Sequence, residues 1–155
     1  MRILVISDSH GSLRNIEKVI DAQPEAENII FLGDGAREIE EASYIYSDRT
    51  FHVVSGNCDF ASAEPSRRVV TLNGTKIFFT HGHYMHDTES LVKTARLEGA
   101  KIALYGHTHI AYTGYFDGVY VMNPGSLTRP RDFSSGSYGV IDITEGGIMT
   151  FTVRI

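Results

Sequence analysis

Short, nearly all-apolar runs rich in β-branched residues recur along the chain at residues 3–6, 29–32, 51–54, 77–79 and 102–105. Each is about strand length, and the runs are continuous, not alternating. That pattern predicts strands covered on both faces. Helical spacing appears between several of them. Ser12 is placed to cap a helix carrying Leu13, Ile16, Val19 and Ile20 on one face, stopped before Pro24. Residues 36–46 put Ile39, Ala42 and Tyr46 in helical register, and Asp87 or Thr88 can cap a helix with Leu91, Ala95 and Glu98, ended by Gly99. The β-α-β-α-β alternation predicts parallel strands joined by crossover helices. Asn73-Gly74, Asp117-Gly118 and Gly146-Gly147 lie between further strand-like runs and predict tight hairpins. The expected fold is therefore α/β, with two packed mixed sheets and helices outside.

Length and composition narrow this picture. The 155 residues suffice for one domain, 1–155, with a real core. The 14 Lys+Arg against 19 Asp+Glu leave a charge of -5, without the cationic surplus that broad nucleic-acid or membrane binding needs. No stretch approaches the roughly eighteen apolar residues of a membrane span, and the four-residue apolar run at the N-terminus is too short for a signal-peptide core. One cysteine excludes an intrachain disulfide and suits a reducing compartment, so the cytoplasm is the expected location. Seven histidines against one cysteine mean that any bound metal is held by imidazole and oxygen.

The candidate chemistry lies where the strands end. The five runs are followed by Asp8-Ser9-His10, Gly33-Asp34, Gly56-Asn57, Thr80-His81 and Gly106-His107-Thr108-His109. Parallel strands carry their C-terminal ends to one edge, where ligands bind. Asp8 and His10, like His107 and His109, are two apart, and in an extended backbone such pairs point the same way. Seven candidate ligands result: Asp8, His10, Asp34, Asn57, His81, His107 and His109. They crowd one ion but serve two bridged by a carboxylate. Imidazole with carboxylate suits Mn, Fe, Co, Ni or Zn.

These motifs, in this order, resemble those of the calcineurin-like metallophosphoesterases over residues 3 to about 128. The form Gly56-Asn57-Cys58-Asp59 and the segment Asn123-Pro124-Gly125-Ser126 resemble its small prokaryotic phosphodiesterase branch. The resemblance implies a four-layer α-β-β-α sandwich and two divalent ions, foremost Mn. Asp8, His10, Asp34 and His109 would hold one ion, and Asp34, Asn57, His81 and His107 the other, with Asp34 bridging. It further implies hydrolysis of a small phosphodiester by a metal-activated hydroxide. Two divalent ions, two carboxylates and a hydroxide leave a local charge of roughly +1, enough to attract an anionic diester.

The chain departs from the wider family at Cys58, where a histidine usually protonates the leaving group or binds phosphate. Cys58 is a weak proton donor or a packing residue, and Asp59 orients it or finishes the turn. His83 binds substrate phosphate or supports the ligands. Asn15, Arg37, Arg14, Arg129 and Arg131 are candidate substrate contacts. The 123–126 turn offers N–H groups to the site or is a plain turn. His52 reads as structural, and His86 as a solvated residue before a helix cap. The alternatives are a protein-interaction scaffold, as in the family's retromer subunit with its impaired site, a phosphomonoesterase or a nuclease. All seven ligand positions are filled here, and the chain has no room for a capping domain. The expected partners are a small phosphodiester and a second copy of the chain in a dimer or tetramer, without membrane or stable nucleic-acid association.

Overall fold

Alternate residues of each apolar run face different cores, which is why the runs are continuous. The computed structural model describes residues 1–85 and 87–155; the expectation for His86 lies outside the described residues. In β1 (Arg2–Ile6), Ile3 and Val5 join one buried cluster while Leu4 and Ile6 join another. β2 (Asn28–Phe31), β5 (Thr75–Thr80) and β6 (Ile102–Leu104) divide in the same way. Each buried Val, Leu, Ile or Phe among them contributes about 1.5–3 kcal/mol.

The first sheet has the order β10-β9-β1-β2-β3, with β3 (Thr50–Val53), β9 (Ser137–Thr144) and β10 (Gly147–Arg154). The second has the order β4-β5-β6-β8-β7, with β4 (Arg67–Leu72), β7 (Ala111–Phe116) and β8 (Val119–Pro124). β1, β2 and β3 run parallel, as do β5, β6 and β8; β4, β7, β9 and β10 add antiparallel pairs. Helices α1 (Leu13–Asp21) and α2 (Ala36–Ile45) cover the outer face of the first sheet, and α3 (Thr88–Leu97) covers the second. Ile3, Ile30, Ile77, Phe79, Ile102 and Met122 fill the space between the sheets. The result is the expected α-β-β-α sandwich of two mixed sheets. The five ligand-bearing strands are split three and two between them, so the site forms where two sheet edges meet.

Ser12 caps α1 by accepting the Asn15 N–H, and Asp87 caps α3 by accepting that of Ser90. Helix α2 begins at Gly35 with no side-chain cap of its own. Both residues of Asn73-Gly74 and of Asp117-Gly118 take positive φ, as a type I′ turn requires. The third hairpin differs by one residue. Thr144 pairs with Gly147, so Glu145-Gly146 forms its turn and Gly147 opens β10. No helix among the described residues is long and apolar enough to cross a membrane.

Candidate metal centre

The ligand loops leave their strands in left-handed turns. Of nine described non-glycine residues with positive φ, five are candidate ligands: Asp8 (55°), His10 (41°), Asp34 (59°), His107 (66°) and His109 (59°). Such conformations cost of order 1–3 kcal/mol each and persist where the surrounding structure over-determines them. This corrects the extended-backbone argument for the two i, i+2 pairs. Asp8 and His10 do meet, but through tight turns. His107 and His109 diverge, His109 toward Asp8 and His10, and His107 toward His81.

The first group is Asp8, His10 and His109. His109 Nε2 lies 3.0 Å from Asp8 Oδ1, His10 Nε2 lies 3.7 Å from it, and the two Nε2 atoms are 3.2 Å apart. Asp8 Oδ2 accepts from Ser7 Oγ at 2.5 Å and the His107 N–H at 3.1 Å. Buried Asp8 Oδ1 receives no aligned hydrogen bond. The second group surrounds His81, whose Nε2 is 3.1 Å from Asn57 Oδ1 and 3.5 Å from Asp34 Oδ2. The His107 ring lies 5.2 Å from that of His81. Asp34 joins the groups: its carboxylate lies within 4.8 Å of donor atoms of His10 and Cys58 in one set and of Asp8 and His81 in another.

The imidazole protons show that this donor set fits a cation. His81 Nδ1 faces the Leu32 carbonyl at 2.7 Å, and His109 Nδ1 faces that of Arg129 at 2.6 Å. A carbonyl only accepts, so both Nδ1 atoms donate and both neutral rings present an Nε2 lone pair. Those lone pairs face oxygens that also accept, an arrangement a proton or a metal ion must relieve. Burial opposes charge on His81, but the Asp34 and Asp8 carboxylates prevail and raise its pKa. Asp8 foremost raises that of His109. Burial would raise Asp34 as well, yet His81 and the Cys58 N–H hold its carboxyl well below the usual carboxylate range. Burial lowers His10, reinforced by His109 and Arg129 against the pull of Asp8 and Asp34.

Asp59 holds these loops together. Its Oδ2 accepts the N–H groups of Asp34 (2.8 Å) and Gly56 (2.7 Å), and its Oδ1 those of Gly35 and Ala36 (2.8 Å each). It thereby supplies the cap that α2 lacks. In return Asp34 Oδ1 accepts the Cys58 N–H at 2.8 Å. The loops approach so closely that a Cβ on Gly56 would lie 2.1 Å from Asp34 Oδ1. Cys58 is exposed beside Asp34 and His10; burial, then Asp34, pushes its thiol pKa up. The His83 ring lies 5.4 Å from His81 and 6.2 Å from His107, with Nδ1 buried and unpaired.

The remaining candidates are dispersed. Asn15 Nδ2 donates to the Leu127 carbonyl, His52 Nε2 pairs with Asn28 Oδ1 at 3.0 Å, and Arg14 is exposed on α1. Arg37 lines a wide depression beside the site, and Arg129 and Arg131 line a smaller one over it. The 123–126 segment is more than a turn. Asn123 Nδ2 donates to Gly106 O and Thr108 Oγ1, and Ser126 Oγ donates to Asp8 O at 2.7 Å. These side chains, with Ser7, fix the ligand loops. The sequence of this segment signals a turn with free N–H groups and carries no sign of these side-chain roles, because their partners are remote in the chain.

A two-sheet sandwich that gathers Asp, Asn and His donors around preset imidazole lone pairs defines an α/β protein with groups able to bind a metal ion. The chain belongs to the calcineurin-like phosphoesterase superfamily, whose family model matches residues 1–146. Metallophosphoesterases use divalent metals, and the Asp and His groups here can bind them. The probable metallophosphoesterase YsnB of Bacillus subtilis is 31% identical over 147 residues, covering 92% of this chain and 85% of that protein. Phosphodiesterase YfcE of Escherichia coli K12 is 31% identical over 166 residues, covering 92% and 88%. The crystal structure of a predicted phosphoesterase from Streptococcus pneumoniae TIGR4 matches with a TM-score of 0.79 at 29% identity, covering 98% of this chain and 97% of that one. Vacuolar protein sorting-associated protein 29 of Schizosaccharomyces pombe is 28% identical, covering 100% and 91%.

Proposed function

We propose that the chain is a dinuclear metal-dependent phosphodiesterase acting on small phosphodiesters. The observation that carries this reading is the pair of imidazoles, His81 and His109, locked by carbonyls so that their lone pairs face Asn57, Asp34 and Asp8. Asp8, His10, Asp34 and His109 would hold one ion; Asp34, Asn57, His81 and His107 would hold the other. The donor set suits Mn, Fe, Co, Ni or Zn, and the family likeness puts Mn foremost. When bound, the ions supply Lewis acidity and a deprotonated water as nucleophile.

The chain's own residues position and protonate. The Leu32 and Arg129 carbonyls fix the two rings, and the Asp59 carboxylate fixes Asp34 against Asn57. Burial and Asp34 push the Cys58 thiol pKa up in the metal-free chain, and Sγ would donate its proton to a leaving oxygen. His83, beside His107, is assigned to the substrate phosphate. Two depressions meet at His10, Asp34 and Cys58, so both arms of a diester have room. That arrangement, with the YfcE relative, favours a diester over a monoester.

The test is Mn-dependent turnover of bis(p-nitrophenyl) phosphate against p-nitrophenyl phosphate. The expected result is diester turnover that a chelator abolishes and Asp34→Asn lowers roughly 100-fold or more. Chelator-resistant turnover or an unimpaired variant overturns the metal mechanism. A metal-loaded protein without turnover favours the scaffold reading.

A further inference from the structure

The loop after β8 brings two arginines to the metal centre. Arg129 and Arg131, with Pro130 between them, line a depression of about 400 Å³ together with His10, Asp34, Asn57, Cys58, His107 and His109. Asp34 is the one carboxylate in that lining. Among the described residues, neither guanidinium has an ion-pair or hydrogen-bond partner, and the adjacent Asp132 is held by Arg154 at 2.8 Å.

This loop is tied to the ligands themselves. The Arg129 carbonyl accepts from His109 Nδ1, the Arg131 N–H donates to the His109 carbonyl at 3.1 Å, and the Arg129 N–H donates to Ser126 Oγ at 2.9 Å. Ser126 Oγ in turn donates to the Asp8 carbonyl, and the Leu127 N–H donates to that of Ser7. Pro130 restricts the backbone between the arginines. The loop is therefore ordered before any ligand arrives, which lowers the entropy cost of binding.

Charge identifies the ligand. An occupied centre carries roughly +1, which one diester charge balances. Two unpartnered guanidiniums remain, and their planar forks match phosphate or carboxylate oxygens. The other depression, about 870 Å³, sets Glu38, Glu40 and Glu64 against Arg37, with Glu64 held by Arg68, and exposes Phe60. It suits an uncharged arm and disfavours an anionic one.

We propose that Arg129 and Arg131 form an anion subsite beside the metals, and that the substrate is a phosphodiester with a second anionic group, such as a further phosphate, on one arm. This rests on the phosphodiesterase reading above and adds the substrate class to it.

A matched pair of probes tests it: the p-nitrophenyl ester of thymidine 5′-phosphate, with and without a 3′-phosphate. In both, water supplies the oxygen of the new P–O bond, and the bond to p-nitrophenolate breaks with the electron pair leaving on that oxygen. The wild type is expected to favour the 3′-phosphorylated probe roughly tenfold or more in kcat/KM. The Arg129→Gln/Arg131→Gln protein should bring the ratio near one, each single variant should lower it partway, and the corresponding Lys pair should keep part of it. Melting curves verify folding. Turnover of both probes with a wild-type ratio near one, or a ratio the variants leave unchanged, overturns the subsite alone. Turnover of neither probe by Mn-loaded wild type overturns the phosphodiesterase reading and the subsite with it.

Discussion

Replacing Asp59 with Asn keeps the side chain's size and removes its charge. The carboxylate accepts four backbone N–H groups, two on each oxygen, at 2.7–2.8 Å. An amide has one oxygen. Whichever way it turns, two N–H donors meet an NH₂ group that can only donate. Bonds to a charged acceptor are worth about 1.5–3 kcal/mol each. Asp59 is half-buried, so water replaces part of the loss, and the lower figure gives about 3 kcal/mol for two bonds. For a chain of this size, that lowers Tm by about 6–12 °C. The assay is urea and thermal unfolding of metal-free wild type and Asp59→Asn. A loss below about 0.5 kcal/mol, the range of an ordinary surface substitution, would refute the clamp. Because Asp34 and Gly56 are among the donors, Mn affinity should fall with stability.

Gly56→Ala would place Cβ 2.1 Å from Asp34 Oδ1 and 2.5 Å from Asp34 N; Mn content after purification should drop and diester turnover fall roughly 100-fold. Ser126→Ala removes the donor to Asp8 O and the acceptor of the Thr128 and Arg129 N–H groups; urea unfolding should show a loss of about 2–3 kcal/mol. Hydrogen bonds from Arg2 hold the Asp142 carboxyl below the usual range. The stability this contributes is present above the unfolded carboxylate value of about 3.9 and is lost as pH falls through the lower folded value. The gap in urea midpoint between wild type and Asp142→Asn should therefore be wide near neutrality and shrink in strong acid.

The strands that lead into the site were legible because they lie between two cores, so nearly every residue of a run is apolar; His52, which turns to Asn28 Oδ1, is the exception. The site was legible because its donors follow those runs directly. What the sequence hid was tertiary. The i, i+2 pairs imply extended backbone, whereas Asp8, His10, His107 and His109 occupy left-handed turns, and local spacing carries no sign of φ. Gly146-Gly147 read as a turn dipeptide, but the register of β9 with β10 sets the turn at Glu145-Gly146. Asp59 sits beside Cys58 in sequence, yet one carboxylate is spent on four N–H groups while the thiol faces the donors. Ser126 meets Asp8 across a separation of 118 residues, a contact that only the closed sandwich creates.

The central claim, two ions bridged by Asp34, is tested most directly by the stoichiometry of Mn²⁺ bound to chelator-treated protein in equilibrium dialysis. The wild type should bind two equivalents, with affinity falling as pH is lowered, because a metal must displace the protons that Asp34 and Asp8 draw onto His81 and His109. Asp34→Asn should bind fewer than two under the same conditions. One equivalent or none in the wild type, or two in Asp34→Asn with undiminished affinity, would contradict it.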